Sequence, residues 1–126
     1  MILCDTNILV ELYKNNPTVI NEMRKIGMNQ IAISIITQAE LYYGAINKVE
    51  FARIQKHLNL INKIPIDEQI SAQFIQLMGR YSLSHKLAIP DALIAATALV
   101  YDMSLYTLNL KDFRFIEGLN LYVSPS

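Results

Sequence analysis

The stretch Ile2-Leu3-Cys4-Asp5-Thr6-Asn7 predicts how the fold begins. Its three apolar residues are too few for a helix and indicate a short buried strand. Asp5, Thr6 and Asn7 follow at once, and all three residue types favour the N-terminal cap of a helix. A strand that passes directly into a helix is the repeating unit of α/β folds. We therefore expect a strand and a helix to meet at Asp5.

The same alternation of strand and helix continues along the chain. Apolar and β-branched runs predict further strands at residues 31–36, 64–66, 104–108 and 119–123. Amphipathic or capped segments predict helices at residues 8–14, 17–26, 37–46, 49–62, 68–83 and 91–102. Pro65 suggests that its strand lies at an edge of the sheet. The regular alternation favours an α/β fold, a parallel sheet with helices on both faces.

The composition indicates one folded domain over residues 1–126. Eleven basic and eleven acidic residues give zero net charge, while 52% of the chain is hydrophobic and 17% is charged. Intrinsic disorder requires the opposite balance and is excluded. The apolar excess favours self-association or a protein partner. Because there is no net positive charge, any contact with nucleic acid must come from local basic patches.

The single cysteine and the spacing of charges predict the compartment. Cys4 has no partner for an intramolecular disulfide and is expected to pack as a small apolar residue, which favours a reducing environment. Asp5 interrupts the first apolar run, so no signal peptide is expected. The best candidate for a membrane span, residues 92–101, is too short. We therefore predict a soluble cytoplasmic protein with no membrane contact.

Three acids lie where predicted strands pass into helices. Asp5 follows the first strand, Glu40 lies one turn into the helix after the second, and Asp91 opens a helix that is apolar nearly all round. Ligands of parallel α/β sheets bind at the carboxyl ends of the strands. Three carboxylates without a Cys or His cluster form an oxygen site suited to Mg²⁺ or Mn²⁺. Taken singly, each acid also fits a simpler role, as a helix cap, an exposed helical residue or a partner of the helix dipole.

Other catalytic patterns are missing from the sequence. The four glycines, at positions 27, 44, 79 and 118, match neither a phosphate-binding loop nor a dinucleotide fingerprint. Ser34 and Ser71 lack the context of a hydrolase nucleophile. His57 and His85 supply no zinc-binding pattern and are expected to face solvent.

Three segments carry a resemblance to a known family. They are Leu3-Cys4-Asp5-Thr6-Asn7-Ile8-Leu9, Ser34-Ile35-Ile36-Thr37-Gln38-Ala39-Glu40-Leu41-Tyr42-Tyr43-Gly44 and Pro90-Asp91-Ala92-Leu93-Ile94-Ala95-Ala96. In this order they resemble the motifs of PIN-domain nucleases, specifically the VapC-type toxins of bacterial toxin–antitoxin pairs, and the match covers nearly the whole chain. The resemblance implies a three-layer α/β/α fold with a central parallel five-stranded sheet. It also implies that Asp5, Glu40 and Asp91 form one catalytic, metal-binding pocket.

One departure from the family pattern concerns a fourth acid, which the family usually places after the next strand. In the stretch Thr107-Leu108-Asn109-Leu110-Lys111-Asp112-Phe113, Asn109 stands at that place. Either Asn109 or Asp112 could complete the metal site, and the loss of one negative charge would weaken a second metal position first. The residues expected to orient carboxylates or waters by hydrogen bonds are Thr6, Asn7, Ser34 and Thr107.

The pocket and the resemblance together predict a divalent-metal-dependent endoribonuclease. Mg²⁺ or Mn²⁺ would activate a water and relieve the charge that builds on the phosphate. By resemblance, the products carry a 5′-phosphate and a 3′-hydroxyl, and the protein is a homodimeric toxin silenced by a cognate antitoxin. Basic residues at positions 24, 25, 48, 53, 56, 80 and 86 are candidates to contact the RNA substrate, and tyrosines at 13, 42 and 43 are candidates for partner surfaces.

Two other functions fit parts of the sequence. A catalytically degenerate PIN-like domain would act only as a protein-interaction module, and Asn109 is its best support. An aspartyl phosphotransferase also places an acid after the first strand. However, the acidic pair of receiver domains is missing at Leu3-Cys4, and Asn7 breaks the Asp-x-Asp pattern of haloacid dehalogenases. Metal binding separates the interaction module from the nuclease.

Overall fold

The computed structural model describes residues 1–123 and contains a parallel sheet between two layers of helices. The strands are β1 (Ile2–Cys4), β2 (Ile31–Ser34), β3 (Asn62–Ile64) and β4 (Ser104–Tyr106). The α-helices are α1 (Thr6–Tyr13), α2 (Pro17–Ile26), α3 (Ile35–Tyr43), α4 (Lys48–Leu58), α5 (Glu68–His85) and α6 (Ile89–Val100). Two short 3₁₀ turns cover Met28–Gln30 and Leu110–Asp112. The predicted alternation of strand and helix is confirmed.

Within residues 1–123 the sheet has four parallel strands in the order β3-β2-β1-β4. The expectation of a fifth strand at 119–123 was wrong. Only Leu121 forms a bridge, and both backbone hydrogen bonds of this contact join the flanking residues to Leu105. Leu105 is the middle residue of the three-residue strand β4. Because residues 119–123 pair with β4 at this residue alone, they contribute a single bridge in place of a strand.

Alternating side chains of the strands build two separate cores. Leu3, Ala32 and Leu105 face α5 and α6 on one side of the sheet. Their neighbours Cys4 and Ile33 face a second cluster that includes residues of α1, α2, α3 and α4. Both faces are therefore covered, which confirms the three-layer α/β/α architecture.

Several element boundaries differ from the sequence prediction for local reasons. Strand β2 ends at Ser34 because the Ser34 hydroxyl accepts the backbone N–H of Ile36 at 3.2 Å and caps α3. Strand β3 ends at Ile64, before Pro65, which has no N–H to donate to a ladder. It lies at an edge of the sheet, as the proline predicts. None of the helices in residues 1–123 is long and apolar enough to cross a membrane.

Candidate active site

The three predicted acids lie at the carboxyl edge of the sheet. Asp5 directly follows β1, and its backbone N–H donates to the carbonyl of Tyr106 at the end of β4 at 2.9 Å. Glu40 lies on α3, which follows β2, and Asp91 lies in the first turn of α6. Because β1 and β2 run in parallel, the segments that follow them, which carry Asp5 and Glu40, meet at one edge. Helix α6 leads into the amino end of β4, which is parallel to β1, so its first turn, with Asp91, lies towards the same carboxyl edge.

Asp5 is buried and held by two hydrogen bonds. The residue is only 5% exposed. Its Oδ1 accepts the backbone N–H of Thr6 at 2.8 Å, and its Oδ2 accepts the Thr107 hydroxyl at 2.8 Å. The first contact is the helix cap that the sequence allows, and the second fixes the carboxylate against the end of β4. The cap and a role in the site therefore coexist in one residue.

Glu40 is oriented through a pair of threonines. The Thr6 hydroxyl donates to Glu40 Oε1 at 2.7 Å and lies 3.0 Å from the Thr37 hydroxyl oxygen. A hydroxyl has one proton, so Thr37 must donate in the second contact once Thr6 donates to Glu40. Thr37 is fully buried and was missed by the sequence prediction. Its position three residues before Glu40, on the same helix face, was the available signal.

Asn7 and Thr107 fix the loop that follows β4. The Asn7 amide donates to the Thr107 hydroxyl at 3.4 Å, and its Oδ1 accepts the backbone N–H of Leu108 at 3.3 Å. The N–H of Asn109 donates to the same hydroxyl at 3.1 Å. Asn109 thus contributes its backbone to this network while the residue itself is exposed. Ser34, also proposed to orient carboxylates, is instead occupied with capping α3.

The raised pKa values of Asp5 and Asp91 show that Asp112 belongs to the same cluster of acids. Burial raises the pKa of Asp91 from 3.8 to about 6, helped by the negative charges of Asp5, Asp112 and Glu40. Burial also raises the pKa of Asp5 against the opposing hydrogen bonds from Thr107 and Thr6, and Glu40 and Asp112 again add to the rise. The half-buried Asp112 therefore lies within electrostatic reach of both acids.

The four carboxylates fit a hydrated divalent ion. In the described part of the chain, the ion pairs join Lys14 to Glu11 and Arg80 to Glu117, so no basic side chain neutralises the cluster by direct pairing. Over the same residues, no three acidic, histidine or cysteine side chains lie close enough to enclose a metal ion directly. Mg²⁺ keeps several waters and is usually held by one or two carboxylates. The oxygen donors suit that mode of binding better than a closed protein cage.

A pocket of about 280 Å³ opens beside Asp91 and Asp112. Lys86 and Lys111 also line it, together with the aromatic side chains of His85 and Phe115. His85 is exposed, as expected, but its ring stacks on Phe115. The prediction for the other histidine, at position 57, was wrong, because its half-buried ring lies 2.8 Å from the Tyr13 hydroxyl.

Comparison with known proteins gives consistent matches. The model of the PIN domain family matches residues 2–117. Ribonuclease VapC10 of Mycobacterium tuberculosis is 33% identical over 94% of this chain and 90% of its own length. A toxin-antitoxin complex from Klebsiella pneumoniae contains a chain that is 34% identical, with a TM-score of 0.82, covering 100% of this chain and 98% of that one. A DNA-bound VapBC structure from Salmonella typhimurium gives a TM-score of 0.83 at 25% identity, with 96% of each chain covered. The chain therefore belongs to the PIN domain family.

Proposed function

We propose that the protein is the toxin ribonuclease of a toxin–antitoxin pair and that it hydrolyses RNA phosphodiester bonds with Mg²⁺ or Mn²⁺. One observation carries the proposal. Buried Asp5 and half-buried Asp91 repel each other and two further acids, and no described basic side chain pairs with them. Keeping such a cluster costs folding free energy, which a bound cation would recover. The similarity to VapC ribonucleases agrees with this use of the site.

Each residue of the cluster has a defined role in the proposal. Asp5, Glu40 and Asp91 are the catalytic acids and hold the ion, directly or through its waters. The ion supplies a water that is nucleophilic near neutral pH and offsets charge on the phosphate. Thr107 keeps Asp5 pointed into the site, and Thr6 does the same for Glu40. Preset carboxylates avoid the cost of reorganisation at the moment of reaction.

Asp112 takes the place of the fourth acid in this proposal. It is the nearby carboxylate whose charge raises the pKa of Asp5 and Asp91, whereas Asn109 is exposed and engages the site through its backbone N–H. A carboxylate at position 112 keeps the number of negative charges in the pocket at four. The apparent departure at Asn109 therefore gives little support to a catalytically degenerate domain.

The partner of the protein in this proposal is a cognate antitoxin. The described solved relatives are toxin-antitoxin and VapBC complexes. Large apolar side chains remain on the surface of this chain, among them Tyr43 at 94% exposure and Ile46 at 80%. Exposed apolar area of this kind is typical of surfaces that bind another protein, an antitoxin or a second copy in a homodimer.

Cleavage of RNA by protein free of antitoxin tests the proposal. We expect the RNA to be cut with Mg²⁺ or Mn²⁺ and to stay intact with EDTA. An Asp5→Asn variant, shown to be folded by a cooperative thermal unfolding transition, should not cut it. Asp102→Asn is the matched control, because Asp102 is exposed, precedes β4 and so lies at the opposite edge of the sheet. It has φ 52°, a conformation that Asn tolerates. Absence of cutting with either metal would favour the interaction module.

A further inference from the structure

The pocket beside Asp91 and Asp112 is completed by two segments whose other side chains have no catalytic role above. The first is the end of α5, where His85 is the last helical residue and Lys86 turns the chain at φ 53°. The second is the loop after β4, which contributes Lys111 and Phe115. The pocket volume of about 280 Å³ is close to the lower limit of small-ligand sites. A single nucleotide unit is of suitable size.

An aromatic pair forms one part of this pocket. The rings of His85 and Phe115 are stacked, with centroids 4.1 Å apart and planes inclined by 13°. Tyr81 supports the pair from the core side, since it is buried and meets the two rings edge-on at 5.6 Å and 5.1 Å. The exposed His85 therefore presents a held aromatic surface to solvent. Such a surface suits a nucleobase, because every base has a π-face that can stack.

Two cations lie in the same pocket as the acids. Lys86 and Lys111 are exposed, and neither forms an ion pair with an acid in the described part of the chain. Four carboxylates without compensation would repel a polyanion from this edge of the sheet. Two lysines beside them offset part of that repulsion and offer contacts to phosphate oxygens.

We propose that this pocket is a nucleotide subsite next to the cleavage position. Lys86 and Lys111 contact a phosphate of single-stranded RNA, and the adjoining base stacks on the His85–Phe115 pair. This inference rests on the proposed function, since it assigns to that same site the part of the substrate it holds. Stacking and phosphate contacts do not involve the hydrogen-bonding edge of the base, so the subsite accepts all four bases.

Three substitutions test the subsite without touching the acids. Lys86→Asn removes the charge and keeps a residue that tolerates φ 53°. Lys111→Ala removes the second charge, and His85→Ala removes the exposed ring. Lys14→Ala is the control, because Lys14 is an exposed lysine at the C-terminal end of α1, away from the carboxyl edge of the sheet at which α1 begins.

Two readouts separate binding from chemistry. The first is the steady-state cleavage of a single-stranded RNA in Mg²⁺, resolved into kcat and KM. The second is fluorescence anisotropy of a labelled RNA 12-mer with Ca²⁺ in place of Mg²⁺, with the oligonucleotide shown to be intact on a gel. We expect the Lys86→Asn/Lys111→Ala variant to have a higher KM than the wild-type protein and the same kcat, because the lysines bind the substrate and the transition state equally well.

The expected changes are large enough to measure. His85→Ala should weaken binding about 10-fold, as the loss of one base-stacking platform does. The double lysine variant should lower the slope of log K against log salt by about 0.7, since both lysines contact one phosphate and each neutralised phosphate of a single strand contributes about 0.7. Lys14→Ala should leave both quantities unchanged.

The outcomes distinguish the subsite from the nuclease function. Cleavage by the wild-type protein with KM, binding and salt slope unchanged in the subsite variants would overturn the subsite alone. RNA binding in Ca²⁺ that depends on Lys86 and Lys111, without cleavage under any metal, would support the subsite and contradict the proposed nuclease. A wild-type protein that neither binds nor cuts RNA would overturn both.

Discussion

Asp91→Asn is expected to stabilise the metal-free protein while it abolishes the activity. The pKa of Asp91 is raised from 3.8 to about 6 by burial and by the charges of the other acids. A carboxyl whose pKa is higher in the folded state favours folding at low pH, and that contribution is lost as the pH rises from about 4 through 6. At pH 7.5 the ionised Asp91 is therefore a net cost to the folded protein.

The size of this cost follows from the shift. About two pKa units correspond to about 3 kcal/mol, at about 1.4 kcal/mol per unit. Asp91 is only half-buried, so solvent screening reduces the figure to roughly 1–2 kcal/mol. An acid in the first turn of a helix gains about 0.3–1 kcal/mol from the helix dipole, which is the smaller of the two effects. Burial and repulsion together therefore decide the sign, and a net cost of roughly 1 kcal/mol remains.

Urea unfolding in EDTA measures the prediction. At pH 7.5 we expect Asp91→Asn to raise the free energy of unfolding by roughly 1 kcal/mol, and at pH 5 by about half as much. Addition of Mg²⁺ should stabilise the wild-type protein more than the variant and so reduce the difference. Asp102→Asn should match the wild type throughout. A variant less stable than wild type in EDTA at pH 7.5 would refute the argument, because Asp91 would then be held by favourable contacts.

Three further predictions concern Cys4, Thr107 and the choice between Asp112 and Asn109. Burial raises the pKa of the Cys4 thiol to about 12, so the native protein at pH 8 should not react with a disulfide reagent, whereas the urea-unfolded protein should release one equivalent of the reagent's thiol. Rapid reaction of the native protein would show that β1 opens readily. Thr107→Val removes the hydroxyl that Asp5 accepts and should lower activity about 10–100-fold, with recovery in Thr107→Ser; equal loss in both variants would indicate a packing defect. Asp112→Asn should weaken the apparent Mg²⁺ affinity about 10-fold or more, whereas Asn109→Ala should stay close to wild type, and the reverse order would place the fourth ligand at Asn109.

The sequence was sufficient to predict that Asp5 and Glu40 lie at one edge of the sheet. Both follow short apolar strands, and parallel strands send such connections to the same edge. The strand-to-helix connection predicted for Asp91 was wrong, because α6 follows α5, and its place at this edge depends on how these two helices return the chain to β4. The choice between Asn109 and Asp112 could not be made in this way. Both belong to one irregular loop, and the 3₁₀ turn at Leu110–Asp112 determines which side chain comes near the acids.

The hydrogen-bond partners and the last strand show where sequence patterns fail. In the sequence Thr37 has the pattern of an ordinary helical residue. Its hydroxyl reaches Thr6 only because α3 packs beside α1. The apolar run at 119–123 has the composition of a strand, yet pairing depends on β4, which offers only Leu105 as a partner. Both outcomes depend on contacts between residues more than ten positions apart, which local periodicity does not encode.

The chemistry of the cut ends tests the central claim most directly. RNA cleaved by the purified protein in Mg²⁺ should yield downstream fragments with a 5′-phosphate and upstream fragments with an extendable 3′-hydroxyl, and EDTA should prevent the cut. Such ends are expected when a water activated by a metal ion at Asp5, Glu40 and Asp91 attacks the phosphate. Cleavage in EDTA, or fragments with 2′,3′-cyclic phosphates, would contradict the account, because the nucleophile would then be the 2′-hydroxyl of the RNA itself.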